Sequence, residues 1–187
     1  LFFRGQRQQI TRFPNLDPDH PLTGGFLYVD RPGTPKQQGF HYADGEVPLE
    51  DWDDLSQAEV NIYPYNCWDH NISPLAEALP EQRYLRLKYS VAGWINEANR
   101  YFLQNIRGAL DAPGEWYLDY RTGALAFLPP AGQVADGEVE VPVVENLIRL
   151  SGTPEEPVQY VTLQGLGLEG AEQDAVCLEG ATHCEVI

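Results

Sequence analysis

Apolar residues in this chain come in short alternating runs, each closed within a few residues by Gly, Pro, Asn or Asp. That is the pattern of half-buried strands joined by tight turns. At the start, apolar "LFF", a turn at "RGQ" and then "QQITRF" predict a hairpin. Strands are predicted at Phe26–Val29, at Val60–Tyr63, in "YLRLKYS" and in "RYFLQN". A short helix is predicted around Glu50 to Leu55, and one helical turn in "IRGALDAPG", where Pro113 and Gly114 end it. The sharpest local signal is "GEWYLDYRTGALAFLPP". Trp116 to Leu118 forms one strand and Ala124 to Leu128 the next, with "DYRTG" as the turn and Gly123 free to take positive φ.

After about residue 140 the pattern changes to short apolar runs punctuated by glycines. "IRLSG" at Ile148–Gly152 resembles "VCLEG" at Val176–Gly180, an offset of 28 residues. The strand after each motif, at Val161 and at Cys184, repeats at an offset of 23. The difference equals the length of "TPEEP", a loop insertion at one corner. A repeat of short strands and glycine corners predicts stacked coils of a parallel β-helix. Two coils cannot bury their own stacking faces, so further coils are expected. The chain starts directly with "LFFRGQ" and stops within a strand at Ile187, which reads as a segment cut at both ends.

Composition narrows the function classes. The formal charge is −16, from 28 acidic and 12 basic residues, and such a surface repels phosphate backbones and anionic lipid. Nucleic acid is therefore not an expected partner. No apolar run reaches the length of a membrane span. Neutral sugars, cations and basic partners stay open. The three cysteines, Cys67, Cys177 and Cys184, form no CxxC pair and lack zinc spacing, so buried thiols are expected. A Cys177–Cys184 disulfide between neighbouring strands is the alternative.

Several stretches together resemble a known group: "GQRQQITRFPNLDP", "GGFLYVD", "AEVNIYPYNCWDHNISPL", "NRYFLQNIRGALDAPGEWYLDYRTGALAFLPP" and "VENLIRLSG…PVQYVTLQGLGLEGAEQDAV". In order and in content they are similar to bacterial right-handed parallel β-helix proteins with a β-rich domain inserted near the start of the helix. That group includes β-xylosidase-like β-helix glycoside hydrolases. The resemblance implies an all-β fold: lead-in strands of the helix over 1–14, a β-sandwich-like inserted domain over 15–140, and the first coils of the helix over 141–187. It also implies secreted or periplasmic work on polysaccharide or oligosaccharide, with the catalytic residues on later coils. This segment would then supply scaffold and a wall of the binding cleft, and the exposed coil end would be capped by the rest of the chain or by an oligomer partner. A non-catalytic carbohydrate-binding or adhesion module is the alternative. A polysaccharide lyase fits less well, because lyases of this fold use Lys, Arg or Ca²⁺ beside an acidic sugar. Two departures stand out: Cys67-Trp68 where similar proteins often carry a Trp pair, and Asn99 where they often carry Asp.

Candidate chemistry within the chain is sparse. On the visible coils, Glu169, Glu172, Asp174, Glu179 and Glu185 are the carboxylates from which a glycosidase pair would be drawn, and Glu179 reads more simply as a solvated face residue. The densest polar and aromatic cluster is "NCWDHN". Trp68 offers a flat face for the C–H side of a sugar ring, and Asp69, His70 and Asn71 offer donors and acceptors for hydroxyls. The competing role is a core Trp beside a capped turn. Trp94 in "AGWIN" is a second candidate for ligand contact, whereas Trp116 follows its hairpin's apolar pattern and reads as core. "NLDPDH" and "EDWDD" have the composition of Ca²⁺ loops, but turn and capping roles explain them more simply, and no metal or other cofactor is expected.

Overall fold

The computed structural model describes residues 1–130, 132 and 134–187. It is all-β: its helical content is three short 3₁₀ turns, at Leu49–Asp51, Pro80–Gln82 and Arg107–Ala109. None of the described helices is long and apolar enough to cross a membrane. The chain divides into two units, Leu1–Arg7 with Val134–Ile187, and Gln8–Gln133.

The second unit holds an eight-stranded antiparallel sheet. Its path runs through Arg12–Phe13, Arg100–Gln104, Glu59–Ile62, Asn71–Leu79, Tyr84–Leu87, Gly39–His41 and Arg31–Pro32, and Leu27–Tyr28 also pairs with Arg100–Gln104. Phe40 and Tyr101 lie four strands apart along this path, a span of about 19 Å in a flat sheet. Their rings nevertheless meet edge-to-face at 4.6 Å. The sheet is therefore curled, and the core fills its concave side. Val60, Ile62, Leu85, Leu87, Tyr101 and Leu103 are wholly buried there.

The other face of the same strands is also covered. Phe102 is 9% exposed and Asn61 1%. Phe26 packs on Phe102 at 5.9 Å, and the Arg12 guanidinium lies 3.9 Å over the Phe102 ring. This double burial explains the unbroken apolar run Tyr101–Leu103 where a one-sided strand would alternate.

The longest strand, Asn71–Leu79, lies in the middle of the sheet although Pro74 interrupts it. Proline supplies no N–H to a ladder. The ladder to Tyr84–Leu87 shifts register between Arg86 and Leu87, leaving Ala76 as the extra residue on the proline's own strand, and Lys88 donates its N–H to the Pro74 carbonyl at 2.9 Å. The irregularity accommodates the proline.

A smaller sheet joins Glu115–Asp119 to Ala124–Phe127 in the expected hairpin, with Gly123 at φ +72°. Gln9–Ile10 pairs with its other edge in parallel. Glu115 is buried here. Its carboxylate accepts from the backbone N–H groups of Arg12 (3.1 Å), Ala112 (3.2 Å) and Asp111 (3.3 Å), and burial pushes its pKa up. Asn105, also buried and at φ +54°, donates to the Gln57 and Leu118 carbonyls and accepts from the Leu118 N–H.

In the first unit, Phe2–Phe3 pairs with Gln6–Arg7 and on its other side with Val139–Glu140. The remainder is built from parallel pairs: Asn146–Ser151 with Asp174–Glu179, Val158–Gln159 with Ala181–Thr182, and Thr162–Leu163 with Glu185–Val186. The register partners are Ile148 with Val176, then Val158 with Ala181 and Thr162 with Glu185. The step thus falls from 28 residues to 23 across "TPEEP", whose Thr153 N–H bonds the Glu156 carbonyl at 3.0 Å. Among the described residues of 134–187 none is fully buried.

Several local expectations need correction. The N-terminal hairpin is confined to Phe2–Arg7, and "QITRF" splits into Gln9–Ile10 and Arg12–Phe13, which join different sheets. The helix expected over 50–55 is the single 3₁₀ turn Leu49–Asp51. Trp116 is only half-buried and donates its Nε1–H to the Gln8 carbonyl, while Tyr117 is the buried aromatic of that strand. The thiols are not buried: Cys67 is exposed, Cys177 and Cys184 are partly exposed, and all three are free.

Candidate functional site

The loop that follows strand Glu59–Ile62 is built from two left-handed residues, Tyr65 at φ +53° and Cys67 at φ +60°. Non-glycine residues take this conformation at a cost, so neighbours must hold it. The Cys67 N–H bonds the Pro64 carbonyl at 2.9 Å, and the Cys67 thiol lies 3.4 Å from the Tyr63 carbonyl. Asn99, 4% exposed, accepts from the Asn96 N–H at 2.7 Å and donates through Nδ2 to the Tyr65 carbonyl at 3.1 Å. An aspartate at 99 would have no donor for that carbonyl.

The loop presents Trp68 at 87% exposure. The alternative of a core Trp is excluded. Asp69 is exposed as well, and His70 is solvent-accessible while its ring is covered on one side by Tyr63. The His70 ring is held in place, stacked on Tyr63 at 4.6 Å with 9° between planes, and its Nε2 lies 2.8 Å from Asn61 Oδ1. Tyr63 in turn stacks under the Arg100 guanidinium at 4.3 Å. Burial, and secondarily the Arg100 charge, keep the His70 pKa below its ordinary value. A neutral ring donating from Nε2 leaves Nδ1 as an acceptor.

Trp94, the second candidate, is 53% exposed. It is tied to the same loop: the Tyr65 N–H bonds the Trp94 carbonyl at 2.8 Å, and the two rings meet edge-to-face at 6.0 Å. The fold therefore joins the Trp68 and Trp94 loops through Tyr65, which the sequence reading did not single out. The signal was present in the "YPY" spacing of Tyr63 and Tyr65. The assembled surface carries exposed aromatic rings beside a fixed imidazole and a free-standing carboxylate. It suits a neutral polyhydroxylated ligand, whose C–H faces pack on rings and whose hydroxyls need both donors and acceptors.

The acid-rich loops have structural partners. Asp17 closes its turn by accepting from the Asp19 and His20 N–H groups, and its other oxygen lies 3.0 Å from the His20 ring. Asp54 accepts from the Ser56 N–H at 2.8 Å. Among the described residues, no three His, Cys, Asp or Glu side chains come together as a metal site. Glu179 is paired with Arg149 at 2.6 Å.

No family model matches the chain, and no curated protein matches it. One solved structure, described as a glycoside hydrolase, resembles it at a TM-score of 0.63 with 17% sequence identity. The match covers 86% of this chain and 29% of the other, so this chain spans less than a third of that protein's length. At that identity the likeness is one of fold.

Proposed function

We propose that this chain is part of a secreted or periplasmic carbohydrate-active protein, a glycoside hydrolase whose catalytic carboxylates lie on coils outside these residues. The fold likeness to a protein described as a glycoside hydrolase carries the reading. The exposed Trp68 and Trp94 rings, on loops that Tyr65 joins and Asn99 braces, support a sugar-contacting role for this segment. The parallel ladders of 146–186 are read as the first coils of a right-handed parallel β-helix. Their outer edges pair with no other strand among the described residues, and a further coil or an oligomer partner would cover them. The engagement of Glu179 with Arg149 favours catalytic groups placed elsewhere.

The test is titration of this chain with xylobiose and cellobiose, followed by intrinsic Trp fluorescence. Trp68→Ala and Trp94→Ala remove exposed rings and leave the core intact. The expected result is binding weakened about tenfold in each. Unchanged binding in both variants would remove the segment from the sugar site. A non-catalytic binding module is the second reading. It gains if the intact natural protein binds these sugars but cleaves no glycosidic bond.

A further inference from the structure

The second unit contains a cleft of about 540 Å³ that the sequence reading did not foresee. This lies within the range of roughly 300–1,000 Å³ usual for small-ligand sites. Three segments form it: the 51–54 loop and, much later in the chain, the 3₁₀ turn at 107–108 and the hairpin strands from 117 to 126.

Its floor is set by hairpin register. Tyr117 faces Ala126 and Asp119 faces Ala124 across the ladder. Two alanines opposite a tyrosine and an aspartate leave a trough that larger side chains would fill. Tyr117 is buried, and burial raises its pKa, so its phenol is a neutral group at the base.

The polar wall is preorganised. Arg121 bridges two carboxylates, reaching Asp54 Oδ2 at 3.0 Å and Asp119 Oδ1 at 3.3 Å. Asp119 Oδ1 also accepts from the Gln57 amide at 2.6 Å and the Arg121 N–H at 2.9 Å. These hydrogen bonds, the Gln57 one first, hold its carboxyl far below the usual range. Asp51, Asp53 and Arg107 line the rest of the wall.

The chemistry of this lining selects a ligand class. Four carboxylates outnumber two guanidiniums, on a chain of net charge −16, so an anionic ligand meets repulsion. The described residues lack the cluster of three ligands that a metal ion requires. Hydroxyl groups fit, because they donate to carboxylates and accept from guanidiniums, while ring C–H groups rest on the alanine and tyrosine floor. We propose that this cleft binds one or two rings of a neutral saccharide, as a site separate from the Trp68 loop. It shares the class of ligand with the functional reading above but stands on different residues.

The experiment is titration of the isotope-labelled 187-residue chain with cellobiose and xylobiose, read by backbone amide shifts. Digalacturonate, putrescine and Ca²⁺ serve as comparison ligands. The expected result is saturable shifts at 51–54, 107–108 and 117–126 with a neutral disaccharide. They should persist in Trp68→Ala and weaken about tenfold in Ala126→Phe, which fills the trough. Asp53→Asn, an exposed change that leaves the core untouched, should weaken them too. The proposal is overturned if neutral disaccharides move none of these amides. It is equally overturned if the shifts vanish in Trp68→Ala, survive undiminished in both Ala126→Phe and Asp53→Asn, or are larger with digalacturonate, putrescine or Ca²⁺. Failure at the cleft with Trp68-dependent binding intact would leave the functional reading standing.

Discussion

Tyr160 and His183 stack at 5.0 Å with 24° between their rings, and both have left-handed backbones, at φ +59° and +55°. They are 23 residues apart and each follows one member of a parallel strand pair, so they occupy equivalent corners. A left-handed corner tolerates His and Asn but not a β-branched residue. His183→Val is expected to cost about 2 kcal/mol, from backbone strain and lost stacking. His183→Asn should cost less. Amide hydrogen exchange across 174–186 should accelerate strongly in the first variant and modestly in the second.

Gly152 and Gly180 occupy the preceding corner. A Cβ on Gly152 would stand 2.6 Å from the Gly180 carbonyl oxygen. One on Gly180 would press on the Gly152 backbone, and Gly180 is also at φ +57°. Gly180→Ala combines strain and overpacking, so it should cost about 3 kcal/mol and exceed Gly152→Ala. Urea unfolding followed through exchange at 146–151 gives the order.

Glu115 ties Arg12 and the 111–112 turn to the hairpin through three backbone donors. Glu115→Ala leaves those donors without their acceptor and should cost about 3 kcal/mol. Glu115→Gln, which keeps an acceptor, should cost less. The folded pKa of Glu115 lies above its unfolded value, so the folded state binds the extra proton between the two. The wild type should therefore lose stability relative to Glu115→Gln as pH rises through the raised pKa. Denaturant midpoints of both proteins across the acid range measure this.

The pKa of His70 is shifted the other way. It is depressed by burial and by Arg100, so the unfolded chain binds its proton first as pH falls. Stability should decline as pH drops below about 6.5, with the full penalty reached below the folded pKa. His70→Asn should flatten that decline. Thermal unfolding of the two proteins between neutral and mildly acid pH tests the difference, and NMR titration of the ring should place its pKa below that of an exposed histidine.

Much of this protein was legible in its residues because the signals are local. Alternation marks Tyr84–Leu87, a short apolar run marks Arg100–Gln104, and turn chemistry marks the hairpin around Gly123. The change of repeat from 28 to 23 residues at "TPEEP" reappears in the register of the parallel pairs. The aromatic and polar content of the Trp68 loop was equally visible. Tertiary structure decided the rest, because pairing, burial and convergence are non-local. Pro74 hid the central strand Asn71–Leu79, whose pairing depends on a bulge at Ala76 within it. Only the curled sheet brings Phe40 to Tyr101, and only packing separates exposed Trp68 from half-buried Trp116. The cleft between Asp54, Arg107 and Ala126 was not legible as a site: "EDWDD" and the hairpin are each visible in the sequence, but only the fold brings the 51–54 loop against the much later 107–126 stretch.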